Sequence, residues 1–397
     1  MKARRRVWMM GLSVVSAVTL TACASSSSTG SGSSASSGSG TYTWGIDAEL
    51  SGLFSFYGLG IQDGVAAYVN QVNATGGIDG HKIKLVSLDD AGDSSRAAAN
   101  ATQLATADGA DAIFGHVDPA NCSAAQPIIQ RDQVPMACLT VGSPSSYVYS
   151  LGADDTYAGR ALISTAQKLV TGSGIRAAFF YNDSLSGIGL AKSLVASAPA
   201  AGVKIVSSQP VNPTATDLSV PIAAIVASKP DVIFVSTTGP NFLTVLKGVR
   251  AAGIKAPLVW VDGTSNLGSL AGSTDTGVYA LVIYQLLNPA DLTGAAKDYV
   301  TAAKSTLKDP TSATAVNAGY AIPSYMTAWA FGTALKACGY PCSGAQLKAH
   351  LDKLHIAIPG LAASFSYTAS DHYPYADWYV YHVVGTTTIL SGTYPAS

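Results

Sequence analysis

Beyond residue 40 the chain alternates between two hydrophobic periods. Short apolar or alternating runs read as strands at 43–47, 82–88, 111–114 and 134–138. Between them apolar residues recur at helical spacing. Ile61, Val65, Tyr68, Val69 and Val72 make 60–73 a helix, 94–106 is an Ala-rich helix, and 124–131 is a third. A second run repeats the pattern, with strands at 177–181, 203–207, 232–235 and 258–261 and helices at 156–170, 189–198, 218–227 and 241–252. Pro221 sits in the first turn of its helix, where the missing N–H costs little. A more helical stretch follows at 295–307, 323–337 and 346–354, and the chain ends in strands at 378–384 and 386–390. Strands alternating with helices predict β-α-β units, hence parallel sheets with helices on both faces. Two such runs predict two lobes. Ligands of open α/β sheets bind beyond the carboxyl ends of the strands, and two lobes can turn those ends toward each other across a cleft.

The first 40 residues follow a different rule. Lys2, Arg4, Arg5 and Arg6 precede an apolar stretch at 7–20, and Leu20-Thr21-Ala22-Cys23 closes it. A basic start, a short apolar core and small residues before a cleavage point form a secretory signal. The apolar run is shorter than the roughly 20 residues of a membrane span. The leucine, two small residues and cysteine resemble a bacterial lipobox, which implies lipidation of Cys23. Residues 24–40 are almost only Ser, Gly, Ala and Thr, too apolar-poor to offset ordering entropy, and read as a flexible tether.

Composition narrows the class. The chain is 48% hydrophobic, enough for sizeable cores, and no later stretch holds 18 consecutive apolar residues. Four of the 23 basic residues and none of the 24 acidic ones lie in the signal, so the rest has 19 basic against 24 acidic groups, about −5. That balance offers no field for nucleic acid. Beyond Cys23 four cysteines remain, and an even count in an exported chain predicts two disulfides. Cys338 and Cys342 flank a Gly-Tyr-Pro turn, which leaves Cys122 with Cys138. The six histidines show no metal-ligand spacing, and no metal or cofactor is expected.

Catalytic signatures are missing from the sequence beyond the tether. No Gly-x-Ser-x-Gly elbow, phosphate loop or His-Glu-x-x-His occurs there. Gly58-Leu59-Gly60 and Gly187-Ile188-Gly189 both fail the dinucleotide spacing and read as turns entering helices. Asp89 and Asp90 are adjacent on a strand end, so they point to opposite faces and make a poor acid/base pair. An enzyme is not expected.

One stretch is more specific. Asn73-Ala74-Thr75-Gly76-Gly77-Ile78-Asp79-Gly80, then Lys82-Ile83-Lys84-Leu85, then Asp89-Asp90-Ala91-Gly92-Asp93 resembles the branched-chain amino-acid-binding family of type I periplasmic binding proteins. Gly115-His116, Gln126-Pro127 and Arg250-Ala251-Ala252-Gly253 follow in family order. The resemblance implies two Rossmann-like lobes joined by three crossovers, with lobe one at 41–152 and 285–362 and lobe two at 153–284 and 363–397. It implies a small-molecule ligand that closes the lobes, and docking on an ABC-type permease. A monomer, lipid-anchored on the outer face of the cytoplasmic membrane, is the expected form. By similarity the ligand residues are Tyr57, Ser123, Thr140, Ser143, Tyr157, Thr238 and Asp262. Among these Asp262 stands in the segment whose acidic residue pairs the ligand's ammonium group in the family, and Thr237-Thr238 stands where the family often has a tyrosine. The implied solute is an amino acid or similar polar metabolite. Amide or urea-like compounds, aromatic acids and a sensory role are the alternatives.

Overall fold

The inner strands of the alternating runs are buried on both faces, which explains their nearly continuous apolar character, while the edge strands at 83–89 and 203–211 are partly exposed. The computed structural model describes residues 40–139, 145–237, 239–261, 270, 273–305, 316–317, 319–375, 377–385 and 387–395. Lobe one is built from β1 (Tyr42–Ala48), α1 (Ser55–Ala74), β2 (Ile83–Asp89), α2 (Ser94–Thr102), β3 (Ala112–Gly115), α3 (Pro119–Asp132), β4 (Met136–Cys138) and β5 (Val148–Ser150). Its five strands are all parallel, in the order β2-β1-β3-β4-β5.

Lobe two follows with α4 (Asp155–Leu169), β6 (Ile175–Asn182), α5 (Leu185–Ser197), β7 (Val203–Val211), α6 (Ser219–Ala227), β8 (Val232–Ser236), α7 (Gly239–Ala251), β9 (Leu258–Val261) and β10 (Val278–Val282). The chain then returns to lobe one as α8 (Gly294–Ala302), α9 (Ala321–Cys338) and α10 (Gly344–Leu351), and α8 and α9 pack along α1. A hairpin of β11 (His355–Ile358) and β12 (Ala362–Ser366) precedes the last crossing. Finally β13 (Asp377–Val384) and β14 (Thr387–Pro395) add an antiparallel edge to the lobe-two sheet, whose order is β14-β13-β10-β9-β8-β6-β7. The connections β5–α4, β10–α8 and β12–β13 are the three crossovers. In both lobes the first strand lies between the second and third, so each sheet has a switch point at β1/β3 or β6/β8.

Successive strand residues feed different cores, because side chains alternate across a sheet. On β6, Ala177, Phe179 and Tyr181 join the large cluster that includes α4 and α5, while Ala178 and Phe180 join the cluster under α6 and α7. On β3, Phe114 packs inward with Trp44, and Ile113 packs outward beneath α3.

The expected disulfides are the ones formed. Cys122–Cys138 ties α3 to β4, and Cys338–Cys342 closes the turn between α9 and α10. Closing a loop of about 15 residues contributes roughly 3 kcal/mol by loop entropy.

Several boundaries differ from the sequence reading. Helix α1 begins at Ser55 rather than residue 60, because Gly58 lies against the end of β1: a Cβ there would come within 2.0 Å of the Glu49 carbonyl oxygen. Helix α3 begins at Pro119 rather than residue 124, capped by Asp118, whose carboxylate accepts the Ala120 N–H at 2.7 Å. Strands β5, β10, β11 and β12 were not expected. Among the described residues no helix is long and apolar enough to cross a membrane.

Candidate functional site

A cavity of about 420 Å³ opens between the lobes, where the carboxyl ends of both sheets converge. Lobe one contributes Phe54 and Tyr57 at the start of α1, Val117, Asp118 and Pro119 after β3, Leu139 after β4, and Tyr320 before α9. Lobe two contributes Asn182 at the end of β6 with Asp183 and Ser184 after it, Ser186 and Gly187 on α5, Ser236 at the end of β8 with Thr237 after it, and Val261 at the end of β9. Two crossovers complete the wall with Asp154 and Tyr373, and Trp378 on β13 backs it.

The wall is built from strand ends and helix starts, so its polar groups are fixed by capping. The Asp154 carboxylate accepts the Thr156 and Tyr157 N–H groups at 2.7 and 3.1 Å. Ser184 caps α5 through the Gly187 N–H at 3.2 Å, and the Ser186 hydroxyl donates to Asp155 at 3.0 Å. The Thr237 hydroxyl donates to the Asn182 side-chain amide oxygen Oδ1 at 2.7 Å, and the Trp260 indole donates to the Thr237 backbone oxygen at 3.0 Å. Trp260 itself stacks on Phe242, with ring centroids 4.0 Å apart. Gly187 admits the close turn: a Cβ there would sit 2.0 Å from the Asn182 carbonyl oxygen. Both Gly-x-Gly sequences thus serve helix entry.

Aromatic rings line the cavity beside these groups. Tyr57 meets Tyr320 edge-on at 5.4 Å. Burial pushes the Tyr373 hydroxyl up to about 12, with Asp154, Asp155 and Asp371 adding to the rise, so it stays a neutral donor at ordinary pH. The charged residues of the described lining are Asp118, Asp154, Asp155 and Asp183, and no Lys, Arg or His is among them.

Of the residues singled out by sequence, Tyr57 lines the cavity. Ser123 is exposed on the second turn of α3 and is not part of the lining. The early helix start is the reason: it puts 117–119, not 121–123, at the cavity. The α3 N-terminus is also no open anion site, because the Asp118 carboxylate already occupies it. Tyr157 donates its hydroxyl to Asp371 of the third crossover at 2.9 Å, and it is a hinge contact outside the lining. That bond, together with burial, raises its pKa. Thr140, Ser143, Thr238, Asp262 and Cys23 lie outside the described residues. Sequence reasoning missed Asp118, Asp154, Tyr320, Tyr373 and Trp378. The Asp-Pro at 118–119 and the Asp-Asp at 154–155 are helix-start signals that could have found the first two.

A profile of the periplasmic binding protein family matches residues 42–388. The chain belongs to that family. Within it, the branched-chain amino-acid-binding branch of the type I proteins is the one the relatives represent. The Leu/Ile/Val-binding protein of Escherichia coli K12 is 26% identical over 270 residues, covering 66% of this chain and 72% of its own length. The amino acid binding protein of Pseudomonas aeruginosa is 27% identical over 239 residues, covering 57% and 63%. The fold is shared with the substrate-binding protein LivJ of Streptococcus pneumoniae, solved with isoleucine, at a TM-score of 0.70 and 20% identity over 89% of this chain and 99% of that one. It is shared equally with a Rhodopseudomonas palustris solute-binding protein solved with 4-hydroxybenzoate, at 0.72 and 17% over 89% and 97%. The family's role is solute binding outside the cytoplasm, not catalysis.

Proposed function

We propose that this periplasmic binding protein is the solute-receptor subunit of an ABC-type importer and holds an amino acid, or a similar small metabolite with a cationic group, in the inter-lobe cavity. The observation that carries the solute class is the charge of the described lining, which has four aspartates and no basic residue. A buried carboxylate ligand requires a cationic partner or several N–H donors, because an unpaired charge out of water is costly. Lobe-fold neighbours take both isoleucine and 4-hydroxybenzoate, so fold does not choose between them. An aromatic monocarboxylate would meet a wall of like charge. An ammonium group finds carboxylates there, and a zwitterion's carboxylate finds the Ser184 hydroxyl at the α5 start, whose oxygen accepts from Gly187 and whose O–H can donate.

Closure follows from the same geometry. A ligand touching both walls gains contacts in the closed form alone and therefore favours it. The reading is tested by a thermal-shift screen of amino acids, amides and aromatic acids, since a ligand present at 100 Kd stabilises by about 2.7 kcal/mol. An amine-bearing solute should raise Tm by several degrees, and benzoates should not. A benzoate hit with no amine hit would overturn it.

Anchoring is part of the proposal. Cys23, following Leu20-Thr21-Ala22 and preceding the Ser/Gly tether, is the lipid attachment point, and several acyl chains anchor stably where one does not. Replacing Cys23→Ser should release the mature protein from membranes on cell fractionation. Unchanged membrane association would reject the anchor.

A further inference from the structure

Beneath the lobe-one wall lies a cluster whose side chains are not among the described lining of the cavity. Asp47 near the end of β1, Asp90 after β2 and His116 after β3 are all fully buried. One imidazole faces both acids: Nδ1 lies 3.2 Å from Asp90 Oδ2, and Nε2 lies 3.5 Å from Asp47 Oδ2. The remaining oxygens are taken, Asp47 Oδ1 by the Asn100 amide at 2.9 Å and Asp90 Oδ1 by the Gly92 N–H at 2.8 Å. Asp47 Oδ2 and His116 Nε2 have no hydrogen-bond partner, the 3.5 Å between them being a looser contact than the Asp90 one. His116 also holds φ +50, a conformation uncommon for a residue with a side chain, so its placement is over-determined by its surroundings.

The backbone of His116 reaches the cavity from there. Its N–H donates to the Asp47 carbonyl at 2.9 Å, and its carbonyl accepts the Leu139 N–H at 3.1 Å. Leu139 and the next three residues, Val117, Asp118 and Pro119, are cavity wall. We propose that His116 is a positioning residue, which with Asp47 and Asp90 forms a proton-dependent clamp that fixes the lobe-one wall of the solute cavity.

Proton counting gives the clamp its pH response. The Asp90–His116 hydrogen bond and the looser Asp47–His116 contact are each attractive only with a proton between their heteroatoms, whichever groups carry it. If one leaves to solvent, an acceptor oxygen and an acceptor nitrogen face each other in a buried site, and the contact becomes repulsive. The surrounding titratable groups are Asp89, Glu49 and Asp118, all acidic, and none is paired with Lys or Arg among the described residues. Burial pushes the Asp47 carboxyl up to about 7, against the opposing effects of His116 and the Asn100 hydrogen bond, so the second proton leaves near neutrality. A metal ion fits less well. One ion cannot take both ring nitrogens, and only two ligand atoms lack partners.

The sign of the stability effect is fixed by linkage. An unfolded aspartate releases its proton near pH 4, whereas folded Asp47 keeps it to about 7. Its contribution is therefore full below about pH 4 and is lost as the pH rises through 7. The clamp is independent of which solute the cavity takes, so the test uses the protein alone. Amide exchange of the 115–122 segment, corrected for intrinsic base catalysis, is followed from pH 5.5 to 8.5. In the wild type it should accelerate by about tenfold between pH 6 and 8, as expected for release of one proton. Asp47→Asn supplies a permanent N–H donor to Nε2 in the same shape, and its exchange should stay at the slow, low-pH level throughout. His116→Asn, which tolerates the backbone conformation, should exchange fast at every pH. A wild-type slope retained in Asp47→Asn, or fast exchange of that variant at all pH values, would overturn the clamp. So would saturable Zn²⁺ binding that His116→Asn abolishes.

Discussion

Asp262→Asn is expected to weaken solute binding by two to three orders of magnitude while leaving the fold intact. Removing one partner of a buried charge pair typically costs about 3–5 kcal/mol, and a tenfold change in affinity corresponds to about 1.4 kcal/mol. Asp262 lies outside the described residues. It follows Val261, which ends β9 and lines the cavity, and it stands in the segment that resembles the family's ammonium-pairing one. The described aspartates of the wall are engaged in part by helix starts: Asp118 caps α3, Asp154 caps α4, and Asp155 accepts from Ser186. Asp262 is the acid that the resemblance assigns to the ligand instead. Calorimetry on wild type and variant with the amine-bearing solute from the screen measures the loss, and far-ultraviolet dichroism checks the fold. An unchanged affinity would remove the residue from the site, while the amine requirement would still rest on the screen.

Gly187→Ala is expected to damage fold and binding together. The new Cβ would sit 2.0 Å from the Asn182 carbonyl oxygen and 3.1 Å from the Tyr181 ring. Both neighbours end β6, which is paired on both sides by β7 and β8, so the backbone oxygen does not yield easily. Overpacking of this kind costs about 1–3 kcal/mol and occasionally more, and backbone contact argues for the upper end. Moving the α5 start also moves the Ser184 and Ser186 hydroxyls and the Asn182–Thr237 hydrogen bond. Urea denaturation should show a loss of about 3 kcal/mol. Gly174→Ala is the comparison: a Cβ there meets open space and carries only the strain of φ +75, about 1–2 kcal/mol. Equal effects at the two positions would mean that the close turn at Asn182 is not what holds α5.

The contrast between these two glycines separates local from tertiary information. From the chain alone, Gly187-Ile188-Gly189 is recognisable as a poor dinucleotide motif and a helix entrance. Its close approach to Asn182 depends on where β6 ends relative to α5, which is a three-dimensional fact.

Periodicity determined most elements of both β-α runs, β5 and β10 excepted, since strands and helices with one apolar stripe leave different hydrophobic periods. β9 is read to the residue, at 258–261. The even cysteine count and the turn at 338–342 determined the disulfides. Where contacts between distant segments set a boundary, the sequence was silent. The start of α1 depends on the Glu49 carbonyl beside Gly58, and the start of α3 depends on Asp118. That shift of one turn is why Ser123 faces outward while Asp118 reaches the cavity. Strand β10 is legible only through its partners β9 and β13, because five residues, four of them buried, have no period long enough to distinguish strand from helix. The acidic wall was invisible for the same reason. Asp118, Asp154 and Asp183 each read as helix-start chemistry in their own segment, and only the facing of the two sheet ends brings them around one cavity. Asp47, Asp90 and His116 are 43 and 26 residues apart along the chain, so no spacing rule joins them. The parallel order β2-β1-β3 does, by setting three strand ends side by side in a fully buried site, where one shared proton can matter.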